Sequence, residues 1–261
     1  MKTIVLDLDG TMYRGTQPIE SAKAFIDLCA ARNVPYVFLT NNSMRTRQEN
    51  AQHMLDMGYE HVEAGQFFNS AMASARYVRK SETGRKACFI GKNGMKEALL
   101  DEGFELVDHD PDFVFIGLNK EMDYAGYSRM LGHLLNGAKL IGTNTDRILA
   151  KENGFEVGNG SVVALFEYAT GQKSPQIAKP YAPILDLCLE HFGLDKESII
   201  LVGDNLETDI ALGYNTGVET FLVETGVHRR EDVERLGIYP THVGQSLMDF
   251  DWNWLENDEE C

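Results

Sequence analysis

The chain has 261 residues, 43% of them hydrophobic and 25% charged, which are the proportions of a globular protein with room for one large domain or two modest ones. Acidic residues number 40 against 24 Lys and Arg, so the formal net charge is −16. A field of that sign repels nucleic-acid backbones and anionic membrane surfaces, which excludes them as main partners, and an anionic substrate would need a local positive site such as a metal.

The chain opens MKTIVLDLDGT. The apolar run 3–6 predicts a buried parallel strand, and Asp7 and Asp9 interrupt it too early for a signal peptide. Apolar positions at helical spacing predict a helix over 21–31. A second buried strand is expected over 34–39, stopping at Thr40-Asn41-Asn42-Ser43. Helices are expected over 46–57, ended by Gly58, and over 64–79. This alternation is the signature of a doubly wound α/β sheet.

The polar break 80–85 starts a second α/β pattern. It has strands over 87–91, 113–117 and 139–142, and helices over 94–102, 124–135 and 161–170. The first pattern then resumes. It has a helix over 180–192 with Pro at its start, a strand over 199–202, a helix over 209–214, and strands over 219–223 and 241–243. The expected organisation is therefore a core of 1–79 and 175–261 with a smaller α/β module inserted at 80–174. The tail 252–261 is acidic, and its two tryptophans are compatible with a frayed end or with packing on the core or a partner. Cys29, Cys88, Cys188 and Cys261 lie far apart without CxxC pairs, as free thiols do in a reducing compartment, and no stretch has the length of a membrane span. A cytoplasmic location is expected.

In parallel α/β sheets, ligands bind beyond the carboxyl ends of the strands. Asp7 and Asp9, Thr40 with Asn41 and Asn42, and Asp204 with Asn205 and Asp209 all follow apolar runs, and Lys179 precedes a helix. Several carboxylates in one crevice need a cation, and an oxygen-only donor set suits Mg²⁺. Asp7, ionised at neutral pH, suits a nucleophile that forms an aspartyl-phosphate. Asp9 suits a general acid and then a general base. Thr40, its neighbouring amides and Lys179 suit the phosphoryl oxygens. Asp209 suits orientation of Lys179 or of a metal-bound water. His109, His133, His191 and His228 have no partner at ligand spacing and read as surface or helix residues.

These motifs together resemble the haloacid dehalogenase superfamily of phosphohydrolases. DxDGT stands at 7–11, the strand-end Thr at 40, the Lys at 179 and GDNLETD at 203–209. The insert resembles a class II, subclass A cap. The stretches 38–43, 141–146 and 158–161 are similar to NagD-like and nitrophenyl-phosphatase-like enzymes. The resemblance implies a doubly wound parallel-sheet core with an inserted α/β cap domain. It also implies a Mg²⁺-dependent phosphatase of a small phosphorylated metabolite, such as a nucleoside monophosphate or sugar phosphate. Asp7, Asp9 (through its backbone carbonyl) and Asp204 would hold the metal, and Thr40, Asn41, Asn42 and Lys179 the phosphate. Asn144, Asp146 and Arg147 would bind substrate from the cap loop, where a plain strand-to-helix turn is the alternative. Ala178 and Thr145 stand where family members often carry Gly and Pro, which bears on loop shape and not on chemistry. A phosphotransferase or mutase, or a phosphometabolite sensor, would use the same scaffold, but a sensor would typically lack Asp7 or Asp9. A homodimer through the cap stays open, with no exposed apolar stripe to mark it.

Overall fold

A computed structural model describes residues 1–151 and 154–256, without the side chains of Ala150 and Lys151. Cys261, Glu152 and the end of the acidic tail lie outside the described residues. The chain divides into two compact units, one of residues 1–40, 47–68 and 179–261, the other of 41–46 and 69–178. The sequence reading divides it at 79/80 and 174/175 instead. Helix Ser70–Ser81 belongs with the second unit because it packs on helix Asn93–Asp101 and Arg76 pairs with Glu102 at 2.7 Å.

The first unit is built on a six-stranded sheet. Its order is His242–Gly244, Thr220–Val223, Ile199–Gly203, Thr3–Leu6, Tyr36–Thr40 and Phe67–Asn69. Thr3–Leu6 pairs in parallel with strands on both sides, Val5 lying opposite Leu201 and Val37. Thr3–Leu6, Tyr36–Thr40 and Ile199–Gly203 are buried along their whole length, which explains their unbroken apolar runs. From Thr3–Leu6 the chain winds outward one way to Phe67–Asn69, and from Ile199–Gly203 the other way to His242–Gly244. The topological switch point thus falls between Thr3–Leu6 and Ile199–Gly203, where such sheets place ligands.

Two local readings here differ from the sequence, and one it left open is decided. The expected helix over 64–79 is a 3₁₀ turn Ala64–Gln66, an edge strand Phe67–Asn69 and a helix Ser70–Ser81. Phe67 is fully buried and stacks on Phe38 at 4.7 Å, while Asn69 caps the helix by accepting from the Met72 N–H. The helix Arg230–Leu236 was not foreseen. Trp252 stacks on Phe25 and lies beneath the Arg32 guanidinium, and Trp254 stacks on His242 at 3.7 Å, so the tryptophans pack on the core.

The second unit has a four-stranded parallel sheet ordered Glu105–Leu106, Lys86–Ile90, Phe113–Ile116, Lys139–Gly142. Helices Tyr124–Leu135 and Asn159–Thr170 seal a core of Ile90, Val114, Ile116, Leu140 and Phe166. An unforeseen hairpin, Ile148–Lys151 with Gly154–Val157, fills the cap loop.

Candidate active site

Four charged side chains meet at the switch point of the first unit. The strand Thr3–Leu6 delivers Asp7, whose N–H still bonds to the Val202 carbonyl at 2.9 Å. Ile199–Gly203 delivers Asp204. Lys179 reaches in from just ahead of the helix Ala182–Phe192 and donates to Asp7 Oδ1 at 2.6 Å, to Asp209 Oδ1 at 2.6 Å and to the Leu39 carbonyl at 2.9 Å. Its side chain is 4% exposed, against 11% for Asp7 and 5% for Asp209. Asp7, Asp204 and Asp209 have carboxylate oxygens within 4.8 Å of one another. Thr40 is buried at the end of its strand, next to Leu39.

Asp209 reaches this cluster through a π-helical turn, Leu206–Ile210, where the sequence suggests an ordinary helix from 209. The Asp209 and Ile210 N–H groups both donate to the Asn205 carbonyl, at 3.0 and 3.2 Å. The wider turn lets Asp209 Oδ2 accept from the Asn205 N–H at 3.2 Å while Oδ1 serves Lys179. The Asn205 side chain caps the turn by accepting from the Glu207 N–H.

Asp204 is 1% exposed and held on every side. Thr11 Oγ1 donates to its Oδ1 at 3.3 Å and the Val227 N–H to its Oδ2 at 2.7 Å. Gly10 has φ +94°, and a Cβ there would lie 2.3 Å from Asp204 Oδ2, so the DxDGT glycine is required by conformation and by space. Asp9, one residue earlier, is exposed and outside the carboxylate cluster.

Burial, then the Asp209 charge and, more weakly, the Asp204 charge push the Asp7 carboxyl well above its ordinary value, although Lys179 opposes them. Burial and the Asp209 charge push Asp204 up to about 7. Burial works against the Lys179 ammonium, but Asp209 and Asp7 outweigh it and hold its pKa above normal. Three carboxylates and one ammonium leave a formal −2 in a buried site. Burial first, and that uncompensated charge second, raise the carboxyls. A divalent cation on oxygen donors matches it in charge and in donor type, so the residues fit Mg²⁺.

His228 went unforeseen as a site residue. It is a buried loop residue, not a surface or helix one, and its Nδ1 accepts from the Leu206 N–H while its own N–H donates to the Asp204 carbonyl. A lone histidine without ligand spacing carries no sequence signal for such a role. In the second unit, Asn41, Asn42, Asn144 and Asp146 form hydrogen bonds among themselves and with their loops, and Arg147 is exposed.

A doubly wound sheet with an acid–lysine cluster at its switch point is the frame of a hydrolase in the haloacid dehalogenase-like class, and comparisons agree. The haloacid dehalogenase-like hydrolase profile matches residues 4–105, and a HAD-hydrolase-like profile matches residues 176–250. The acid sugar phosphatase of Staphylococcus aureus is 36% identical over 249 residues, covering 94% of this chain and 95% of that protein. The 5'-nucleotidase YutF of Bacillus subtilis is 34% identical over 249 residues, covering 95% and 97%. The solved structure of NagD from E. coli K-12 matches with a TM-score of 0.87 at 30% identity, covering 96% of this chain and 98% of that one. The chain belongs to the haloacid dehalogenase-like hydrolases, in their NagD-like family, and is a phosphoric monoester hydrolase. Among the described residues no helix is long and apolar enough to cross a membrane.

Proposed function

We propose that this enzyme hydrolyses a small phosphorylated metabolite, a sugar phosphate or nucleoside monophosphate, through an aspartyl-phosphate on Asp7. The observation that carries the reading is the Lys179 ammonium bridging Asp7 and Asp209 beside Asp204 at the switch point. The names of the sugar-phosphatase and nucleotidase relatives support the substrate class.

Mg²⁺, held by Asp7, Asp204 and the Asp9 carbonyl, would supply the positive charge that lets an anionic carboxylate approach an anionic phosphate. Asp7 attacks phosphorus, and the ester P–O bond breaks. Asp9, whose side chain is solvent-exposed, gives its proton to the departing oxygen. In the second half Asp9 takes a proton from water, whose oxygen attacks phosphorus and frees Asp7 and inorganic phosphate. Lys179 and Thr40, with the amides of Asn41 and Asn42, hold the equatorial oxygens, and Asp209 orients Lys179. Arg147 reads the leaving group. Contrary to the sequence reading, helix Asn159–Thr170 does carry an exposed apolar face, with Ala164, Leu165, Tyr168 and Ala169, which supports a homodimer through the cap.

Phosphate release from a panel of phosphomonoesters, with Mg²⁺ and with EDTA, tests the reading. Metal-dependent release by the wild type and none by a folded Asp7→Asn variant are expected. Turnover by Asp7→Asn would remove Asp7 as nucleophile, and equal release in EDTA would remove the metal.

A further inference from the structure

The loop 41–46, which follows Thr40 in the chain, belongs to the second unit and is fastened within it. The Asn41 carbonyl accepts from Ser70 Oγ at 2.6 Å and from Asn144 Nδ2 at 2.9 Å. The Asn41 side-chain amide donates to both carboxylate oxygens of Asp146, at 3.2 and 3.4 Å. Asn41 is thus gripped at its main chain and at its side chain, and it is 9% exposed.

The gripping residues are themselves fixed. Asn144 is 7% exposed and uses both ends of its amide, Nδ2 on the Asn41 carbonyl and Oδ1 on the Asp146 N–H at 3.2 Å. The Asp146 carbonyl accepts from the Gly160 N–H at 2.9 Å. Gly160 sits so close that a Cβ would lie 2.4 Å from the Thr145 carbonyl. The stretch Gly158-Asn159-Gly160-Ser161 is therefore a clamp on the loop 144–147, and Ser161 Oγ completes it by donating to the Arg147 carbonyl at 2.7 Å.

A peptide is planar and trans, so a carbonyl held by two donors on one side points the following N–H to the other. Fixing the Asn41 carbonyl therefore aims the Asn42 N–H. Asn42 is tied down as well, its Oδ1 accepting from the Met44 N–H at 3.0 Å. We infer that Asn144 and Asp146 are positioning residues: they hold the Asn41–Asn42 peptide in the orientation that receives phosphate, and they do not read the leaving group. This rests on the proposed role of Thr40, Asn41 and Asn42 at the phosphate. It assigns the cap loop a part in binding the group that every substrate shares.

Inorganic phosphate has no leaving group, so it separates the two roles. The experiment measures its inhibition constant, and kcat/KM for esters with unlike leaving groups, in the wild type and in Asp146→Ala, Asn144→Ala and Asp146→Asn. Loss of a charge-assisted bond should raise the phosphate inhibition constant about tenfold in Asp146→Ala. Asn144→Ala should raise it too, and kcat/KM should fall by one common factor for all esters, their ranking unchanged. Asp146→Asn keeps an acceptor for Asn41 and should stay within about threefold of wild type. It also keeps the test alive if an Ala variant fails to fold. An unchanged inhibition constant with a reordered substrate ranking would overturn the inference and make Asp146 a specificity residue. A wild type that releases no phosphate from any ester would instead overturn the proposed function, and calorimetric phosphate binding by the same variants would then decide the positioning role alone.

Discussion

Lys179→Met removes one atom that compensates two buried acids while leaving an apolar stem of similar volume. Three hydrogen bonds go with the ammonium, two of them at 2.6 Å to carboxylates, and the formal charge of the cluster falls from −2 to −3. Removing one partner of a buried ion pair costs about 3–5 kcal/mol. For a chain of this size that lowers Tm by roughly 6–20 °C. The cost should also depend on pH. Without the ammonium the Asp7 carboxyl, already raised by burial, rises further. A carboxyl whose folded pKa lies above its unfolded value contributes stability that is fully present below about pH 4 and is lost as pH rises through the folded value. The gap between variant and wild type should therefore be small near pH 5 and largest near pH 8. Urea denaturation in EDTA at the two pH values, followed by circular dichroism, measures it. An equal gap at both, or a cost below about 1 kcal/mol, would refute the electrostatic account of the triad.

In EDTA the wild type should lose stability as pH rises from about 4 to 7, because Asp204 is protonated more readily folded than unfolded. Added Mg²⁺ should then stabilise it more at pH 8 than at pH 5, where protons compete for the ligands, and a Tm increment independent of pH would count against Asp204 as a ligand. Gly10→Ala should weaken Mg²⁺ binding by calorimetry about tenfold or more, since the new Cβ meets Asp204 and the φ of +94° is strained. Unchanged affinity would show that the turn absorbs the methyl. Asn50, on helix Arg47–Asp56, is 2% exposed, and among the described residues neither polar atom of its side chain has a hydrogen-bond partner. Asn50→Leu should therefore raise stability by about 1–2 kcal/mol in chemical denaturation, and a loss would mean that a buried water serves the amide.

Much of the first unit was legible because its clustered polar residues sit where strands stop. Asp7, Thr40 and Asp204 each end an apolar run, and a parallel sheet gathers its carboxyl ends on one edge. The cap loop was less legible. Its two strands are only four residues each, and Ile148, Phe155 and Val157 alternate onto a face that stays exposed, so no buried period marks them. The edge strand Phe67–Asn69 was hidden for a different reason. Three residues carry no periodicity, and Asn69 belongs to the strand and to the cap of the next helix at once.

The π-helical turn shows why reading residues in order was not enough. Asp204 and Asp209 are five residues apart, and the sequence assigns the second to a helix that starts with it. Both must serve one crevice, Asp204 within the carboxylate cluster and Asp209 on Lys179. An α-turn closes on the fourth residue back, whereas here the Ile210 N–H reaches the fifth, Asn205. The extra residue in the turn leaves Asp209 Oδ2 on the Asn205 N–H and Oδ1 on Lys179. The turn is held open from outside by His228, which takes the Leu206 N–H on its Nδ1. Burial lowers the His228 pKa, which favours the neutral ring that can accept this bond. A residue with no motif spacing thus shapes the turn that carries a motif residue, and only the folded chain brings the two together.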